Sequence, residues 1–303
     1  MVQERVDRAT ARVVAAARVS RWLAARIALV LAIGVLALKP LVANAAQPPV
    51  GLGTAASFAV LAGQGVTNTG ATVVNGNLGT SPAPAVTGFP PGTVHGQIHR
   101  ADAVALQAQS DLTTAYNDAA GRTPVSTVAT QLGGQTLTPG VYTSASGTFQ
   151  ITGTLTLDAQ GDPNGVFIFQ MASTLVTASN SNVSLLGGAS SCNVFWQVGS
   201  SATLGTTSSF TGNILALTSA QVQTGVTVQG RVLARNASVT LDDDTITSGT
   251  CSSQVTPVPS GGVQTGGGST AGLQDLGLLE LGSVLLVAAA GAFAIRRRVM
   301  RRG

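Results

Sequence analysis

The chain has 303 residues, of which 37 are Gly, 44% are hydrophobic, 9% charged and 4% aromatic. So few charged residues exclude a coiled coil or an ordinary soluble helical protein, and so many apolar ones exclude disorder. The formal net charge of +4 suggests a polyanionic partner, but residues 46–272 hold four Arg against eight Asp, a balance of 4 − 8 = −4, with no Lys or Glu. No groove for a nucleic-acid backbone can be built from that.

The first 45 residues carry Arg5, Arg8, Arg12, Arg18, Arg21 and Arg26, then an uncharged apolar run from Ile27 to Leu38, then Ala43-Asn44-Ala45. A basic region, a short apolar core and a small-residue site make a secretory signal peptide, with cleavage expected after Ala45. The run is short for a membrane span, which needs about 20 residues.

Residues 46–256 read as one domain. Short apolar alternations broken by Gly, Thr, Ser and Asn indicate strands bounded by turns. One stretch differs: Ile98, Ala101, Val104, Ala105, Ala108, Leu112, Ala115, Tyr116 and Ala119 recur at three and four residues, and Gly121 follows. This predicts an amphipathic helix of about 20 residues with an Ala-rich face that can lie close to a sheet. His95 and His99 fall at its start with no third metal ligand in view.

Further on, the sequence repeats itself. Gly212-Asn213-Ile214-Leu215-Ala216 returns 18 residues later as Gly230-Arg231-Val232-Leu233-Ala234, and Trp196-Gln197-Val198 precedes it at the same offset. Phe169-Gln170-Met171 resembles Trp196-Gln197-Val198, and Thr69-Gly70-Ala71-Thr72-Val73 echoes Thr224-Gly225-Val226-Thr227-Val228. A short period with Gly at corners predicts a three-sided β-solenoid, in which each coil buries its apolar edge only by stacking on neighbours.

Alternation sorts the strands by face. With Ala202, Leu204, Ala220, Val222, Val239 and Leu241 inward, the outward set is Ser201, Thr203, Ser219, Gln221, Ser238 and Thr240. Cys192 and Cys251 are the two cysteines; an even count in an exported chain favours a disulfide. Asp242-Asp243-Asp244 reads as a solvated turn ending the last strand, and Asp158 to Gly165 as a turn between coils. Titratable groups are too few and scattered for a catalytic constellation, so neither an enzyme, a small-molecule substrate, a cofactor nor a metal is expected.

Residues 257–275 are a Pro/Gly/Ser/Thr linker. Residues 276–303 hold the apolar run Leu276 to Ile295 followed by Arg296, Arg297, Arg298, Arg301 and Arg302, the charge order of a segment whose tail stays cytoplasmic. Linker, apolar run and basic tail together resemble a sortase cell-wall sorting signal. Thr265-Gly266 match its Thr-Gly, whereas Gly262 and Val263 stand where Leu and Pro are expected, so a wall attachment and a plain membrane anchor both stay open. Either reading places the protein at the cell surface.

Several blocks in order carry a second resemblance: Leu52 to Ala62, Leu137-Thr138-Pro139-Gly140-Val141-Tyr142, Gly153 to Asp158, Val166 to Gln170, Cys192 to Gly199 and Gly230 to Asn236. Across residues 51–251 the chain resembles the bacterial and fungal ice-binding protein family, of the Domain of Unknown Function 3494 type. The resemblance implies an all-β fold with one long helix: a discontinuous right-handed β-solenoid of triangular cross-section with the α-helix packed alongside. It implies ice as the partner, bound by one flat face. Family members often show Thr-Ala/Gly-x-Thr/Asn there; Ser200-Ser201-Ala202-Thr203 and Thr218-Ser219-Ala220-Gln221 keep that pattern in part.

Overall fold

The computed structural model describes residues 47–123, 125–249 and 251. The segments read as signal peptide, linker and anchor lie outside these residues. Among the described residues, no helix is long and apolar enough to cross a membrane.

Strands are short and pair in parallel throughout. The chain visits three faces in turn and each visit lands beside the previous coil, so the body is a three-sided β-solenoid. The first face holds, in stacking order, Ile98–Arg100, Asn77–Thr80, Phe58–Ala62, 231–234, 213–216, Val194–Val198, Phe167–Met171, Gly140–Ser144 and Ser126–Val128. The second is a seven-stranded sheet: Ala85–Thr87, Gly65–Thr69, Ser238–Asp242, Ala220–Val222, Ala202–Leu204, Leu175–Thr177 and Phe149–Ile151. The third contains Thr93–Val94, Val73–Asn75, Thr245–Thr247, 227–229, 209–211, Asn182–Leu186, Thr154–Asp158 and Thr136–Leu137.

Strands Ser209–Ala216 and Thr227–Ala234 run on from the third face to the first, bending at the register partners Gly212 and Gly230. Both have positive φ, +117° and +146°, and a Cβ on Gly230 would lie 2.0 Å from the Gly212 carbonyl oxygen. The corner therefore admits only glycine. The 18-residue repeat is read directly in the pairing: Trp196 opposes Ile214 and Gly212 opposes Gly230. The echo of 69–73 in 224–228 is displaced by one residue, because Val73, not Thr72, aligns through Thr245 with Thr227. Thr72 instead turns inward, fully buried, where its hydroxyl accepts from the Asp244 amide.

The stack is discontinuous. Phe58–Ala62, near the start of the fold, pairs with 231–234, near its end. The chain must then travel from the Ile98–Arg100 end of the stack to the Ser126–Val128 end. Helix α1, Ala103–Gly121, makes that journey along the first face. Its 19 residues span about 28 Å; nine strands make eight gaps, about 38 Å, and the residues flanking the helix cover the difference. The helix starts later than the periodicity suggests. Ile98 belongs to a strand, Ala101 has φ +51°, and Val104 faces outward at 47% exposure. The Asp102 carboxylate accepts from the Ala105 amide at 2.8 Å and so fixes the start.

With the helix on one side and the interior on the other, the central strands of the first face are buried on both sides, which explains their unbroken apolar runs. Phe167, Phe169, Trp196 and Ile214 point inward. Ile168, Phe195, Leu215 and Leu233 meet Ala108, Leu112, Ala115 and Tyr116 of α1. Inside, Phe169 stacks on Trp196 at 4.0 Å between centroids, and Tyr142 stacks on Phe169 at 5.5 Å. Cys192 and Cys251 form a disulfide with Cα atoms 5.5 Å apart.

Candidate functional site

The first face is occupied by α1, so the second and third are the sheet faces left open. The second is regular from edge to edge. Ala202, Leu204, Ala220, Val222, Val239 and Leu241 are all at most 2% exposed. Outward, Thr203 opposes Gln221 and Gln221 opposes Thr240, in register. Beside this rank runs a second one of Ser201, Ser219 and Ser238; the first two hydroxyls lie 2.8 Å apart. All six outward residues named from the sequence therefore share one face.

The rank extends further than alternation within the C-terminal repeats could reveal. Thr67 opposes Thr240 and Thr87 opposes Thr67, because the two N-terminal coils stack on the last C-terminal one. On the other side Val176 opposes Thr203 and Gln150 opposes Val176. The full rank is Thr87, Thr67, Thr240, Gln221, Thr203, Val176 and Gln150: seven side chains across six gaps, about 29 Å. The alternation of Gly65-Val66-Thr67-Asn68-Thr69 signals a half-buried strand; its neighbour is set by tertiary stacking alone. No side chain in the rank is charged, and four of the seven are Thr.

The third face carries its own outward line of Thr245, Thr227, Ser209, Asn182 and Thr154. Charged groups lie off the rank. Asp118 pairs with Arg122 on α1 at 2.7 Å. Asp111 of α1 accepts from the Thr54 amide and hydroxyl, both at 2.7 Å. The Arg235 guanidinium lies 4.8 Å over the Tyr116 ring. His95 bonds Asn75, and His99 bonds Asp102.

The Asp run at the corner between the second and third faces is not a solvated turn. Each carboxylate has a structural partner. Asp242 accepts from the Thr224 hydroxyl at 2.5 Å and the Thr69 hydroxyl at 2.7 Å, and these two bonds hold its carboxyl below the usual range. Asp243 accepts from the Ala71 amide at 2.5 Å. Asp244, 1% exposed, accepts from the Val226 and Asp242 amides at 2.9 and 2.8 Å. Burial pushes its carboxyl up to about 7 against the pull of those two amides. At the corner between the third and first faces Arg231, also 1% exposed, donates to the Ala56 and Gly249 carbonyls and to Asn213 Oδ1. Burial lowers its pKa to about 10, so it stays charged at neutral pH.

Among the described residues, the second face brings no acid, base and nucleophile together. It offers a flat repeat of short uncharged groups, suited to an extended and periodic partner. Comparison with known proteins agrees. A family model described as ice-binding-like matches residues 60–247. An ice-binding protein of Nostoc sp. (strain HG1) is 53% identical over 199 residues, 65% of this chain and 73% of that one. An ice-binding protein of Flavobacterium frigoris (strain PS1) is 37% identical over 216 residues, covering 65% and 76%. Among solved structures, an ice binding protein from an Antarctic biological consortium shares 49% identity with a TM-score of 0.66, over 67% of this chain and 93% of that one. One from the Antarctic ascomycete Antarctomyces psychrotrophicus shares 46% with a TM-score of 0.63, over 66% and 98%.

Proposed function

The chain belongs to the ice-binding-like family, and from that premise we propose that it adsorbs to ice crystals through the second face of its solenoid, without catalysis. The observation that carries this is the in-register rank from Thr87 to Gln150. Stacked strands repeat at about 4.8 Å, close to repeats in the ice lattice. Short hydroxyl and methyl groups at that spacing hold water in an ordered layer that merges with the crystal. A charged side chain would orient that water wrongly, and none stands in the rank. The inward partners are fully packed, which keeps the outward groups rigid.

The signal peptide exports the protein, and the C-terminal segment holds it at the cell surface in membrane or wall. There it slows recrystallisation or tethers the cell to ice.

A recrystallisation assay tests the face. Thr203→Tyr places a ring proud of the rank and should abolish most activity. Thr227→Tyr does the same on the third face and should leave activity near that of the parent. Both sites are on the surface, so stability should change by about 0.5 kcal/mol or less. Loss of activity in the Thr227 variant alone would move ice binding to the third face. An inactive parent would leave the fold as a structural or adhesive surface module.

A further inference from the structure

We propose that Asp242 is a positioning residue of the ice face: it sets the register between two halves of the rank that are joined only through distant parts of the chain. The proposal rests on the second face being the one that meets ice. Strands Ala202–Leu204, Ala220–Val222 and Ser238–Asp242 follow one another coil by coil, so chain length fixes their register. Between Ser238–Asp242 and Gly65–Thr69 there is a seam. Thr67 and Thr240 face each other as neighbours, yet 240 − 67 = 173 positions separate them in sequence.

A parallel ladder does not fix such a seam by itself. A slip of one residue is excluded, because it would turn Val66 outward and Thr67 into the interior. A slip of two keeps both the backbone bonding pattern and the alternation, yet moves Thr67 and Thr87 by about 6.6 Å along the strand direction. The two halves of the rank would then present mismatched lattices.

Asp242, with the two carboxylates that follow it, removes this ambiguity. It lies two residues beyond Thr240 on the same side of its strand, with Thr69 as its register partner. One oxygen accepts from Thr69 across the seam and the other from Thr224 of the preceding coil. Three successive coils are thereby tied at one carboxylate. A slip of two in one direction would bring Ala71, which has no hydroxyl, opposite Asp242; in the other it would bring Thr67 there but would break the bonds of Ala71 to Asp243 and of Thr72 to Asp244. Asp243, bonded to Ala71, and Asp244, bonded through its amide to Thr72, continue the seam around the corner. Arg231, bonded to the Ala56 carbonyl, ties the same coils on the first face.

The test uses the full purified chain and two readouts. The first is register, read without ice: the disulfide yield of a Thr67→Cys/Thr240→Cys pair, expected to be nearly complete with Asp242 present and to drop by more than half with Asp242→Ala. The second is thermal hysteresis, expected to fall several-fold in Asp242→Ala. Asp242→Asn, which can accept from one hydroxyl and donate to the other, should recover most of it. Thr69→Val removes only the seam hydroxyl and should reproduce the loss should Asp242→Ala fail to fold. Unchanged cross-linking in Asp242→Ala and Thr69→Val overturns the register role. Unchanged hysteresis in those two variants, with Thr203→Tyr inactive, overturns its importance for ice while leaving the face assignment standing. Unchanged hysteresis in Thr203→Tyr as well overturns the face assignment itself, and the proposal with it.

Discussion

Gln221 sits between Thr203 and Thr240 in the rank, in register with both, and its side chain is the longer and more mobile one. Gln221→Thr should therefore raise ice activity by restoring an unbroken run from Thr203 through Thr87, with stability changed by about 0.5 kcal/mol or less; thermal hysteresis at matched concentration checks it. Asp244 makes a prediction of the opposite kind, about stability and not binding. Its folded carboxyl is raised to about 7, above an unfolded value near 3.9. The folded state therefore holds the extra proton between those values. The stability Asp244 contributes is fully present below about pH 4 and is lost as pH rises through 7. The melting temperature of the parent relative to Asp244→Asn should fall across that interval, read by thermal scans at successive pH values. Inward and outward placement at residues 201–204, 219–222 and 238–241 was legible in the sequence, because a period of two needs only local pattern. Thr67 and Thr87 were not, because stacking order is a property of the whole chain.

Helix α1 shows the same division at the scale of an element. Its buried stripe of Ala105, Ala108, Leu112, Ala115, Tyr116 and Ala119 follows the spacing of the apolar residues. Its first turn does not. Ile98 and Ala101 match the period by chance, and the Asp102 cap decides where the helix begins. Its last turn is held by Gln170, whose side-chain amide donates to the Ala119, Ala120 and Arg122 carbonyls at 2.8, 3.2 and 3.0 Å. No local pattern marks that glutamine, 48 residues beyond Arg122, as a helix cap. Leu112 is fully buried between helix and sheet. Leu112→Ala should cost about 2–5 kcal/mol, and urea titration would measure it. Because Leu112 faces away from the ice rank, hysteresis of the fraction still folded should be unchanged.

At the scale of the molecule, the repeat and its glycine corners made a solenoid legible. Its discontinuity was supplied by resemblance alone, since no local signal says that Phe58–Ala62 lies beside 231–234. The disulfide closes a separation of 59 residues, and replacing both cysteines by Ser should remove on the order of 4 kcal/mol in the chain-entropy model. The fold should survive, because most burial lies between coils; the check is a lowered melting temperature with an unchanged circular-dichroism spectrum. Deleting residues 257–303 should release folded protein into the medium, and fractionation of cells and supernatant would show it. The seam also orders events in time. On a ribosome the strand Phe58–Ala62 is made early, but its partner at 231–234 is made some 170 residues later. At about 5–20 residues per second that is a wait of roughly ten to thirty seconds. The first two coils must spend it with one open edge, on which Leu61 and Val60 have no neighbouring strand. A chain built this way completes its fold last where its synthesis began, and its earliest strands are the ones a chaperone has most reason to hold.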